Sequence, residues 1–241
     1  MNRLTQLSLS LGLLLMSSAG VSHAGQTGRG LHLFGGPKVT TKGGGQDANL
    51  DRLCNNHYNR LNLPVGRMAD VKAIIDVARK STPAELKTKL NANKITAEAA
   101  SWYLYYLGQK SLSNDDFKGF VKYLTVSADD YLNPWAMTLL AKVYYYDKAE
   151  WQKQFPKAQI TTDRNLEKSY IYLQVAFVIG GEIETDYKDN AILTGVTNGG
   201  LALKDTFEGK GVKGFDPQAA INKNKPAMIE KVKTFKRLYE K

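Results

Sequence analysis

Cys54, the only cysteine in the chain, precedes His57 by three residues. That spacing sets a thiol and an imidazole one helical turn apart, which is the beginning of a metal site or of a thiolate nucleophile with its base. Neither chemistry is complete. A zinc site needs further ligands, the other histidines are His23 and His32 near the start of the chain, and no second Cys/His pair exists. Cys54 and His57 also share an apolar stripe with Leu50, Leu53, Tyr58 and Leu61, where a free thiol and an imidazole are ordinary core residues. The next candidates are the carboxylate pairs Asp115-Asp116 and Asp129-Asp130, which two-carboxylate hydrolysis would require. Adjacent acids leave a helix in different directions. Asp115-Asp116 follow Ser113-Asn114 at a helix start, where acids suit the dipole, and Asp129-Asp130 fall in a turn between helices. The chain has no Gly-x-Ser-x-Gly, no His-Glu-x-x-His and no dinucleotide fingerprint, and its glycine clusters lack the Lys-Ser/Thr that closes a phosphate loop. These residues predict no enzyme, no cofactor and no metal.

What remains is a set of aromatic rings. Trp102, Tyr105 and Tyr106, and again Trp135, Tyr145 and Tyr146, lie off the apolar stripes of their helices, so most are expected to pack on a second neighbour. Tyr145 projects opposite its stripe beside Lys142. Trp151 and Phe155 interrupt an otherwise polar run, Lys148 to Asp163, which reads as an exposed loop. Tyrosine and tryptophan anchor protein interfaces, so Lys142, Tyr145, Trp151 and Phe155 are the candidate partner-binding residues.

The elements that hold these residues begin after a leader. Residues 1–24 have Arg3, an apolar run from Leu11 to Met16, and Ser22 and Ala24 at the positions that precede cleavage. They predict a signal peptide cut between Ala24 and Gly25, too short to span a bilayer, and hence a periplasmic protein. Gly25 is not a cysteine, so lipid attachment there is not expected. Residues 25–46 are rich in glycine and read as a flexible leader, and residues 47–241 as one helical domain. With 43 % hydrophobic and 10 % aromatic residues the domain can build a large core without a disulfide. The net charge of +10, one unit less after loss of Arg3, is carried mostly by lysines scattered among acids. No arginine-rich stripe is interleaved with aromatics, which speaks against nucleic acid and for an acidic protein partner or weak contact with an anionic surface.

Helical punctuation recurs along the domain. Thr82, Pro83 and Glu85 form a capping box with proline at the first helical position, Thr96 and Asn133-Pro134 are further starts, and Asp216-Pro217 is another. Helices over 96–111 and 133–147 superpose by their apolar stripes at a separation of 36, as Ala100 with Ala136 and Leu104 with Leu140. Matching Leu107-Gly108 with Leu140-Ala141 gives 33 instead, and the pattern alone leaves both registers open. The segments that follow also match: FVKYLTVSA, 120–128, aligns with SYIYLQVAF, 169–177, at a separation of 49. Periods of this size with paired helices predict an α-solenoid, two hairpins of one kind with a longer loop in the second. The last segment, from Pro226, puts Met228, Ile229, Val232, Phe235 and Tyr239 on one face and reads as a capping helix in preference to a lipid-surface helix.

Ala136, Leu140-Ala141 and Tyr144, then Leu166-Glu167-Lys168, Tyr172-Leu173 and Ala176, occur in the order of the Sel-one-like repeats, relatives of the tetratricopeptide repeat. The chain resembles that family over about residues 97–181, without its glycine-rich turn between helices. The resemblance implies an all-α short solenoid of hairpins that binds another protein. Exported proteins of this kind include immunity partners of toxic lipase effectors delivered by type VI secretion, and that is the expected role. An envelope scaffold or adaptor that recruits an assembly or secretion machine is the alternative, and a cell-wall hydrolase using an acid pair is the weakest reading.

Overall fold

The computed structural model describes residues 71–92, 95–187 and 199–239. These residues are all-α, with no strand among them. The junction at Ala24 and Gly25, the glycine-rich leader and the Cys54/His57 stripe lie outside the described residues.

Local sequence accounts for the first elements. In α1 (Val71–Lys80) the spacing of Ile74, Ile75 and Ala78 buries one face. Helix α2 (Pro83–Leu90) starts with the expected box: the Thr82 amide donates to Glu85 Oε2 at 2.6 Å and the Glu85 amide to Thr82 Oγ1 at 3.2 Å. Both helices pack against α3 (Ala97–Ser113), to which α2 contributes the buried Leu86 and Leu90.

Helix α3 lies antiparallel to α4 (Phe117–Asp129). At one end Ser127 Oγ donates to the Ser101 carbonyl at 2.7 Å. At the other, Gly108 allows the backbones to approach, since a Cβ there would meet the Phe120 carbonyl at 3.2 Å. The turn between them is tight: Asp115 adopts φ 62° and Asp116 caps α4 by accepting the Gly119 amide at 2.8 Å.

A second antiparallel pair repeats this plan with α5 (Pro134–Tyr145) and α7 (Leu166–Tyr187). Asn133 Oδ1 caps α5 by accepting the amides of Trp135 and Ala136, each at 3.0 Å. The Asn165 amide donates to the Tyr144 carbonyl at 2.7 Å and Ser169 Oγ to the Ala141 carbonyl at 2.6 Å. Phe120 and Ser169 correspond at the separation of 49, and each faces a small residue of its partner helix, Gly108 and Ala141. The contacts therefore favour the register of 33 between α3 and α5. Trp102 and Trp135, also 33 apart, touch across the two pairs with ring centroids 5.2 Å apart.

The connection inside the second pair differs from the expected exposed loop. Residues Lys148–Gln154 form α6, capped by a box between Asp147 and Glu150. Trp151 and Phe155, one turn apart on it, turn inward and are 3 % and 1 % exposed. Trp151 sits edge-on to Phe117 at 5.3 Å, stacks with Phe155 at 5.8 Å, and donates from Nε1 to the Val143 carbonyl at 3.3 Å. The polar neighbours of these rings face solvent while the rings face the core, which is the amphipathic pattern of a short helix.

Residues 199–210 form α8, which ends in a wide π-helical turn, Thr206–Lys210. Gly200 meets Thr138 of α5 so closely that a Cβ there would lie 2.9 Å from Thr138 Cγ2. The last helix, α9 (Pro217–Tyr239), begins at the expected cap, where Asp216 Oδ1 accepts the Gln218 amide at 2.9 Å, and continues through Pro226, where a separate last segment was expected to begin. Phe235 and Tyr239 are buried, with Met228 and Val232 half-buried beside them, whereas Ile229 is 45 % exposed. Helix α9 does not simply close the end of the array. It runs from the start of α7, where Lys223 meets Glu167, past the end of α4, to the Tyr131 carbonyl, which accepts from Tyr239 Oη at 2.6 Å.

Candidate partner-binding surface

Two of the four predicted contact residues belong to the interior. Trp151 and Phe155 are part of the core that joins α4, α5 and α6, so the expectation that they meet a partner is corrected: each ring is already covered by other rings of the same chain. Tyr145 is half-buried. Phe207 of α8 approaches its ring edge-on at 5.5 Å, and the Arg164 guanidinium lies 5.5 Å from its centre. Lys142 is half-buried on the face of α5 that carries Thr138, and the protein atoms around its ammonium push its pKa down to about 7. Neither Lys142 nor Tyr145 stands free as a surface anchor.

The carboxylate pairs do not converge as a catalytic couple would. Asp116 is a helix cap. Asp129 is a structural acceptor, receiving Tyr172 Oη at 2.9 Å on one oxygen and Lys231 Nζ at 2.6 Å on the other. Burial first, and then the Asp129 carboxylate, push the Tyr172 phenol far above its ordinary value, so it stays a donor. Among the described residues no three His, Cys, Asp or Glu side chains gather as a metal site, and no helix is long and apolar enough to cross a membrane.

A concavity of about 580 Å³ lies elsewhere, between α7 and α9. Each helix contributes one face by its periodicity: Lys168, Tyr172 and Val175 with Ile171 from α7, and Lys223, Ala227 and Lys231 from α9. Polar ties hold the two helices at both ends of the groove. Glu167 accepts from Lys223 Nζ at 3.0 Å and from Asn224 Nδ2 at 2.9 Å. Those two hydrogen bonds, Asn224 first, hold its carboxyl below the usual range. At the other end stands the bridge of Lys231 to Asp129.

Between the ties, Lys168 rises over a stacked pair of rings. Tyr144 and Tyr172 lie 6.0 Å apart and nearly parallel, and Lys168 Nζ sits 4.2 Å above the Tyr144 ring while donating to Tyr144 Oη at 2.8 Å. No carboxylate among the described residues bridges to Lys168. The apolar floor is Ile171, Val175 and Ala227.

None of these groove residues was singled out from the sequence as a contact residue. Lys223 and Lys231 are eight apart, as are Glu167 and Val175, a helical spacing that places each pair on one face. What the spacing does not reveal is that residues 129, 168 and 231 meet.

Comparison with family models, with curated proteins and with solved structures gave no match.

Proposed function

We propose that this chain is an exported α-solenoid protein that works by binding another protein, and that its partner is a toxic effector, such as a lipase delivered by type VI secretion, which it neutralises in the periplasm. The observation that carries the reading is the pair of matched antiparallel hairpins, α3 with α4 and α5 with α7, whose equivalent tryptophans touch. Side-by-side hairpins bury their apolar faces against each other and leave an extended surface for a partner, which is the economy of repeat scaffolds. The leader of residues 1–24 supports export, and the net charge of +10 supports an acidic partner.

The groove between α7 and α9 adds a concave surface of the size that ligands and peptide segments occupy. The reading is tested by co-expression with the product of the neighbouring gene. Co-purification of that product, together with loss of protection when this gene is deleted, is the expected result. Full protection in the deletion strain contradicts it.

A further inference from the structure

We propose that the groove between α7 and α9 is the docking site for an acidic, partly apolar polypeptide segment of the partner, with Lys168 as the anchor for its carboxylate. The proposal deepens the protein-binding reading and rests on it.

Charge decides the occupant. The two acids at the groove are engaged, Glu167 by Lys223 and Asn224 and Asp129 by Tyr172 and Lys231. Lys168 is exposed, and its side chain meets the hydroxyl of Tyr144 and the faces of two rings, Tyr144 and Tyr172. An ammonium has three N–H donors, so two remain for an incoming carboxylate. The stacked tyrosines fix the lysine over the groove, and a charge held in place loses less freedom on binding than a free surface lysine does. The surrounding field has the same sign: α9 carries Lys223, Lys225, Lys231, Lys233, Lys236 and Arg237 against the single acid Glu230.

Shape and polarity narrow the class further. A volume of about 580 Å³ exceeds what a lone inorganic anion fills, and a small anion would leave Ile171 and Ala227 uncovered. A bilayer needs apolar side chains that project beyond the cations, whereas Ile171 and Ala227 lie between Lys168 of α7 and Lys223 and Lys231 of α9, whose side chains are longer. The chain's own residues 25–46 carry Arg29, Lys38 and Lys42 and no acid, so they do not complement the groove. A segment that places an acid beside an aliphatic side chain satisfies both walls and floor.

The test uses the full mature chain as bait for a random dodecamer peptide library displayed on phage, with fluorescence anisotropy on the selected peptides. The variants are Lys168→Glu, at an exposed position that circular dichroism should show folded, and Ile171→Asp. The expected pool is enriched in Asp or Glu next to Leu, Ile or Val. Its peptides should lose at least tenfold in affinity on Lys168→Glu, weaken in 0.3 M salt, and resist competition by phosphatidylglycerol vesicles. No enrichment, a pool without acids, equal binding by folded Lys168→Glu, or displacement by the vesicles would each overturn the proposal. If Lys168→Glu retains the neighbouring gene's product with unchanged affinity, the groove is wrong and the protein-binding reading survives. If the wild type binds no partner at all, that reading itself fails.

Discussion

Lys142 shows how one buried charge links sequence to stability. Its ammonium has a pKa lowered by burial to about 7, against 10.5 for a free lysine. Between those values the unfolded chain binds more protons than the folded one, so stability rises with pH from about 7 toward 10.5 and the full burial penalty is carried below 7. Lys142→Met should therefore raise Tm at pH 6 by several degrees and flatten the rise expected of the wild type between pH 7 and 9.5. That range stays below the titration of Tyr146, whose phenol burial raises to about 12. A thermal-melt series that keeps the wild-type slope in the variant contradicts this account. Two buried tyrosines give a second contrast at this scale. Tyr106 is 1 % exposed and its hydroxyl meets no acceptor among the described residues, while Tyr239 donates to the Tyr131 carbonyl. Tyr106→Phe should be neutral or stabilising, and Tyr239→Phe should cost about 1 kcal/mol in denaturant titrations.

Among the elements, those set by local chemistry were legible. Thr82 with Glu85, Thr96 with Ala99, Asn133 with Ala136 and Asp216 with Ala219 each bond within three residues, so spacing alone marks the helix starts. The start of helix α6 carries the same kind of signal, a box between Asp147 and Glu150, and was missed; the direction of its rings was not legible, because only the cores of α4 and α5 show which way they face. The continuity of α9 from its marked start at Asp216 was hidden by Pro226, which ordinarily punctuates a helix yet is tolerated here on an exposed face. Trp151→Ala discriminates the two views of α6. A ring packed on Phe117 and Phe155 should cost about 3–5 kcal/mol when truncated, whereas an exposed contact residue would leave the denaturation midpoint unchanged.

For the whole molecule, the two helix pairs and the groove arise from different kinds of information. The pairs are written in periodic residues, and the contacts of Gly108 and Ala141 favour the register of 33 over the 36 that the apolar stripes also allow. The groove depends on contacts between residues as far apart as Asp129 and Lys231, joined only when α9 docks, and no periodicity along the chain encodes that meeting. Its lysines were visible as charge but not as a site. An exposed surface of this composition should bind its partner with strong salt dependence, since interactions among solvent-exposed charges are screened within about 8 Å at physiological ionic strength.

The central claim is that this chain acts by binding a protein. It is tested most directly by calorimetric titration of the neighbouring gene's product into the mature chain at low and physiological salt. Saturable binding at a fixed stoichiometry, with Kd below about 1 μM and weakening as salt rises, is the predicted result. Absence of binding at tens of micromolar protein, under conditions where both components are folded, would contradict it.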